Sequence, residues 1–160
     1  MRFLHLTRHP RGYCDSVLKA YQRSKTGGKH DFWLARLAQG PGGALDPQHG
    51  WLALHRGLLA FLRTVPAERQ LRLRAEDLVE SAHDALPALC RFLGVRHDAQ
   101  ALAGMRHPER WRFAGPGPAN APGGGDDLFQ AGPSLRPLAP RTGMEDLLPA
   151  VRGLAERFGY

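Results

Sequence analysis

Cysteine is scarce in this sequence: Cys14 and Cys90 are the two in 160 residues. Both fall in apolar, helix-like patterns without paired spacing, which excludes a disulfide framework and fits a reducing, cytoplasmic setting. No apolar run approaches the roughly 20 residues of a membrane span. The apolar stretch after Arg2 is too short for a signal peptide. No Cys/His grouping has metal-ligand spacing, and no Ser/His/Asp arrangement stands out, so neither metal chemistry nor a catalytic triad has candidate residues. Internal repeats are absent. So are helix-turn-helix, zinc-finger and aromatic-basic patterns, which leaves nucleic-acid binding without a specific signature.

Arginine is what the chain has in quantity. Of 22 basic residues only Lys19, Lys25 and Lys29 are lysine, and the formal net charge is +7. That excess favours polyanionic partners such as nucleotides, nucleic acids and sulfated or phosphorylated molecules. By composition alone, a solvated basic surface is the simpler reading. The length fits one domain over 1–160, able to bury roughly 68–70% of its unfolded surface without metal or disulfides.

The most informative stretch runs from Phe3 to Ser16. Apolar residues at 3–6 predict a short strand covered on both faces, as in a parallel sheet. Pro10 ends the strand and biases His9 away from helical geometry. Gly12 is expected to free the turn before a helix carrying Val17, Leu18 and Tyr21. Arg8 then stands at a strand's carboxyl end and Ser16 on an early helical turn. That junction is where α/β folds bind phosphate. Arginine grips phosphate bidentately and a serine hydroxyl adds a hydrogen bond. The alternative is Arg8 paired with Asp15 and Ser16 bonded to its own helix.

Further along, Gly27-Gly28 marks a break, and Asp31 is expected to cap a short helix. A loop over 39–47 precedes a helix with Trp51, Leu54, His55, Leu58, Phe61, Leu62 and Val65 at helical spacing, ended by Pro66. Gln70–Arg74 alternates as a strand and is followed by a turn at Glu76-Asp77-Leu78. A helix through Leu86, Leu89, Cys90 and Leu93 stops at Gly94, and Pro87 requires it to begin near Asp84. A weaker helix covers Asp98 to Gly104. The Gly/Pro-rich stretch 115–142 is irregular. A last helix places Leu147, Leu148, Val151, Leu154 and Phe158 on one side.

Four segments, in order, resemble the sulfotransferases that use 3′-phosphoadenosine 5′-phosphosulfate (PAPS) as donor. They are Leu6-Thr7-Arg8-His9-Pro10-Arg11 with Ser16 eight residues after Arg8; Gly50-Trp51 with His55; Leu73-Arg74-Ala75-Glu76-Asp77-Leu78; and Leu89 to Val95 around Phe92-Leu93-Gly94. Phe158-Gly159-Tyr160 is also similar. The resemblance covers residues 1 to about 112. It implies an α/β fold with a partial parallel sheet flanked by helices, P-loop-NTPase-like and truncated at the amino terminus. It implies PAPS as co-substrate, no metal, a hydroxyl or amine acceptor on a small molecule, glycan or lipid, and no nucleic-acid partner.

In that family an arginine and serine at this spacing bind the donor's 3′-phosphate, which points to Arg8 and Ser16. A later basic loop also reaches that phosphate, with Arg106, Arg110 or Arg112 beside Trp111 as candidates. Ala75 replaces a tyrosine that lines the adenine pocket in many members. The lysine-bearing 5′-phosphosulfate loop and the catalytic base precede the matched region in the family, so the catalytic residue is unknown. Ser24-Lys25-Thr26-Gly27-Gly28-Lys29 does not fit a phosphate loop, because it follows a helix rather than a strand.

Among candidate bases, His5 reads as a core histidine, His55 as helix packing and His9 as an exposed residue near the anion site. Glu76 and Asp77 read as capping or salt-bridging residues, and Trp51 as an anchor. Two alternatives stay open: a non-catalytic nucleotide-binding or partner-docking remnant, and a basic nucleic-acid-binding protein.

Overall fold

Strand β1 (Phe3–Thr7) runs straight into helix α1 (Pro10–Thr26), and everything that shapes the candidate site is arranged around that junction. The computed structural model describes residues 1–26, 39–107 and 144–160, with the side chains of 23–26 excepted. After α1 come α2 (Pro47–Leu62), β2 (Gln70–Arg74), α3 (Ala75–Glu80), α4 (Ala82–Leu93), α5 (Ala99–Met105) and α6 (Pro149–Arg157). The expected helix after Asp31 and the 115–142 stretch lie outside the described residues.

β1 and β2 form a two-stranded parallel sheet in the register Phe3↔Gln70, Leu4↔Leu71, His5↔Arg72, Leu6↔Leu73 and Thr7↔Arg74. Partners in register share a face, so Leu4, Leu6, Leu71 and Leu73 lie together, with His5, Thr7, Arg72 and Arg74 opposite. The fold class is therefore α/β with a small parallel sheet. The expectation that both faces of β1 are covered is corrected. His5 and Thr7 are buried, while Leu4 is 38% and Leu6 48% exposed. The polar face is the inner one because the aromatic side chains of α2 and the carboxyl-terminal segment pack against it.

The described residues form two units, one of 1, 3–26, 39–74 and 144–160, the other of 2 and 75–107. The first has a core of Trp51, Leu147, Val151, Leu154, Ala155 and Phe158. Asp46 caps α2, its carboxylate accepting from Gln48 N at 3.0 Å, and Pro47 supplies the first helical φ. The Gln48 side chain in turn accepts from Leu148 N at 2.8 Å, tying α2 to the segment entering α6. Helix α2 ends at Leu62, three residues before the expected Val65, with a turn leading to Pro66. Only part of its apolar pattern is inward. Trp51, His55 and Leu62 are buried, whereas Leu54, Leu58 and Phe61 are exposed.

In the second unit, residues 75–80 are helical rather than a turn. Glu76 and Asp77 occupy the first turn of α3, where acidic side chains favour a helix start. Helix α4 begins at Ala82, two residues before the position that Pro87 was expected to require, so Pro87 lies inside it. Gly94 terminates α4 at φ 72°, and Val95 N returns to Cys90 O at 3.0 Å. Asp98 caps α5 by accepting from Ala101 N at 2.9 Å.

Candidate anion-binding site

The turn from β1 into α1 is made by Arg8 and His9 alone. Pro10 is already the first residue of α1 and Gly12 lies inside it without a positive φ, so the expected role of Gly12 in the turn is corrected. Proline at that position loses no helical hydrogen bond and brings the φ a helix needs. The His9 side chain fills the capping position: its Nδ1 accepts from Arg11 N at 3.2 Å, and its carbonyl from Tyr13 N at 3.0 Å.

This tight start brings Arg8 and Ser16 together. An Arg8 guanidinium nitrogen donates to Ser16 Oγ at 2.9 Å. Arg8 is half-buried and Ser16 exposed, so the pair faces solvent at the sheet's carboxyl end. Its other guanidinium donors and the serine hydroxyl are the groups an incoming anion would use.

Two residues hold the turn from behind. The Trp51 indole Nε1 donates to Arg8 O at 3.0 Å, and the tryptophan is fully buried. The Tyr160 hydroxyl lies 3.1 Å from Thr7 Oγ1, and its ring meets the His9 ring edge-on with centroids 5.3 Å apart. Gly159, at φ 87°, folds the chain end back so that Tyr160 N reaches Ala155 O at 3.2 Å. Arg74 donates to Gly159 O and places its guanidinium 5.7 Å from the Tyr160 ring centroid. In the sequence Trp51 reads only as an anchor, and Tyr160 has no part in the site. Its one signal was the terminal Phe-Gly-Tyr.

Behind the turn is a pair of buried histidines. His5 Nε2 and His55 Nδ1 share a hydrogen bond of 3.0 Å, each residue being 4% exposed. Trp51 lies 4.4 Å from the His55 ring, and Phe158 edges both histidines at 5.2–5.3 Å. Arg72 stacks on Phe158 with 4.8 Å to the centroid. Burial, His5 and the charge of Arg72 push His55 down to about 4, and burial and Arg72 also lower His5. Both are therefore neutral at pH 7. Burial raises the Cys14 thiol to about 11, so it is not a thiolate at neutral pH.

The other expected residues fall elsewhere. Arg106 is the exposed C-cap of α5, in the second unit. Arg110, Arg112 and Trp111 lie outside the described residues, as do Gly27 to Lys29 and the side chains of Ser24 to Thr26. Among the described residues no three His, Cys, Asp or Glu side chains could hold a metal ion. No described helix is long and apolar enough to cross a membrane.

The fold has counterparts among solved structures. A sulfotransferase domain from the curacin biosynthetic pathway superposes with a TM-score of 0.69 at 20% identity, over 99% of this chain and 53% of that one. The fold is that of part of a sulfotransferase domain. A second such domain, from the olefin synthase of Synechococcus PCC 7002, superposes with a TM-score of 0.62 at 28% identity, over 99% of this chain and 49% of that one. The chain thus spans about half the length of the sulfotransferase domains it matches. No family model and no curated protein matches the sequence.

Proposed function

We propose that this chain carries the nucleotide-anchoring part of a PAPS-dependent sulfotransferase, with Arg8 and Ser16 holding the 3′-phosphate of the donor. The observation that carries this reading is the 2.9 Å hydrogen bond from the Arg8 guanidinium to Ser16 Oγ at the carboxyl end of β1. The likeness to two sulfotransferase domains and the ordered sequence motifs support it.

Sulfuryl transfer moves an SO₃ group from the donor's phosphosulfate to an acceptor oxygen or nitrogen, with loss of the acceptor's proton. An enzyme contributes an anchored nucleotide, stabilisation of charge on the transferring group and a base. The residues described here serve the first task. Charge-assisted hydrogen bonds of this kind contribute roughly 1.5–3 kcal/mol each. Arg106, Arg110 or Arg112 would add a further cation at the same phosphate. The acceptor is a hydroxyl or amine compound.

Calorimetric titration of the 160-residue chain with adenosine 3′,5′-bisphosphate and with adenosine 5′-monophosphate tests the reading. The bisphosphate should bind at least about tenfold more tightly, and Arg8→Ala should remove that preference. Equal binding of the two nucleotides, or an unchanged preference in Arg8→Ala, would overturn it.

A further inference from the structure

The face of α2 turned toward α6 carries a second feature, away from the β1–α1 turn. Arg56, Leu59 and Ala60 of α2 and its C-cap Arg63 line a groove of about 450 Å³ with Ala150, Gly153, Leu154 and Arg157 of α6. Each set follows i, i+3, i+4, i+7 spacing, so each wall is one stripe of a helix, two turns long. Arg56, Arg63 and Arg157 are exposed, and among the described residues none has a carboxylate partner. Ala60, Ala150 and Gly153 are small, and among the described residues a Cβ built on Gly153 meets nothing within 4 Å. Among the described residues the groove is therefore open, basic along its walls and shallow-sided in its middle.

We propose that this groove docks an acidic amphipathic helix of a partner protein. Arg56 and Arg63 are about 10.5 Å apart along the helix axis, too far for one anionic group but matched to carboxylates two turns apart on a second helix. Arginine's planar fork suits carboxylates in that role. Small residues between the arginines let a partner backbone approach closely, and the half-buried Leu59 offers apolar surface to its other positions above the buried Leu154, which is the helix-in-groove mode of recognition. Duplex nucleic acid is read by an element projecting into its groove, whereas this surface is concave. Single-stranded nucleic acid would be held by aromatic stacking, and no aromatic side chain lines the groove.

The test uses the full chain and a fluorescein-labelled, helix-forming peptide of about 20 residues with glutamates on one stripe at seven-residue spacing and leucine and alanine between them. Fluorescence anisotropy should show saturable binding, about tenfold tighter than for a peptide of the same composition with its glutamates scattered around the helix. Arg56→Glu with Arg63→Glu should abolish binding, and a matching lysine-striped peptide should restore it. Gly153→Leu, which fills the groove without changing charge, should weaken binding about tenfold while circular dichroism shows the fold retained. Three outcomes would overturn the proposal: no saturable binding, equal binding of the scattered peptide, or unchanged affinity in Gly153→Leu. Tighter binding of a DNA duplex or of heparin than of the striped peptide would overturn it as well.

Discussion

The buried Trp51 side chain donates its indole hydrogen to the main-chain carbonyl of Arg8, fixing from helix α2 the residue that faces solvent at the end of β1. Trp51→Phe keeps an aromatic ring but leaves that carbonyl unmet. The expected loss of stability is roughly 2–4 kcal/mol, combining an unmet part-buried acceptor with the volume lost beside Val151 and Phe158. A urea-denaturation midpoint measures it. A midpoint within error of the wild type would mean that the indole contributes nothing to this turn.

Ser16 is exposed on α1, so Ser16→Ala should leave thermal stability nearly unchanged. Its effect should fall on nucleotide binding. Losing one hydrogen bond to a charged group predicts about a tenfold weaker affinity for adenosine 3′,5′-bisphosphate and an unchanged affinity for adenosine 5′-monophosphate. Arg8→Lys should lose affinity as well, since an ammonium cannot reproduce the bidentate fork. A calorimetric titration showing the same loss for both nucleotides would separate general damage from loss of the phosphate contact.

The His5–His55 pair makes stability pH-dependent. Both histidines have folded pKa values below the ordinary 6.5, His55 at about 4, because burial and Arg72 oppose their protonation. The unfolded chain therefore binds more protons than the folded one as pH falls below about 6.5. Stability is full above that pH and declines toward about pH 4, by at most about 1.4 kcal/mol per pH unit for each histidine. Urea midpoints taken from pH 7.5 to 4.5 should fall, and His55→Leu should flatten the slope. An equally steep slope in that variant would assign the pH dependence to other groups.

Gly159 adopts φ 87°, and among the described residues a Cβ there would meet only Arg74 at 3.9 Å, an ordinary contact. Gly159→Ala should therefore cost the backbone penalty of the left-handed region, roughly 1–2 kcal/mol, rather than a clash. Tyr160→Phe, which removes the hydroxyl beside Thr7, should cost about 1 kcal/mol. Thermal melts of the two variants check both values. A larger loss in Tyr160→Phe than in Gly159→Ala would reverse this ranking.

Local chemistry determined much of what could be read in advance. Pro10 marked where a strand must give way to a helix, the alternation of Gln70–Arg74 defined β2 at its observed bounds, and Gly94 ended α4 by adopting a positive φ that other residues resist. The strand-to-helix junction suggested a shared site for Arg8 and Ser16, whose side chains meet at 2.9 Å in the fold. What a sequence pattern cannot supply is which face of an element is covered. Leucines at 4 and 6 were expected to be inside, yet the inner face of β1 is His5 and Thr7, because their neighbours come from α2 and the chain end, tens of residues away. For the same reason the leucines of α2 were indistinguishable from its buried Trp51 and His55. Tyr160 joined the site only because Gly159 turned the last residue back onto β1. Short-range signals are written into neighbouring residues; burial and the company a side chain keeps depend on long-range packing, and only the tertiary structure decided them.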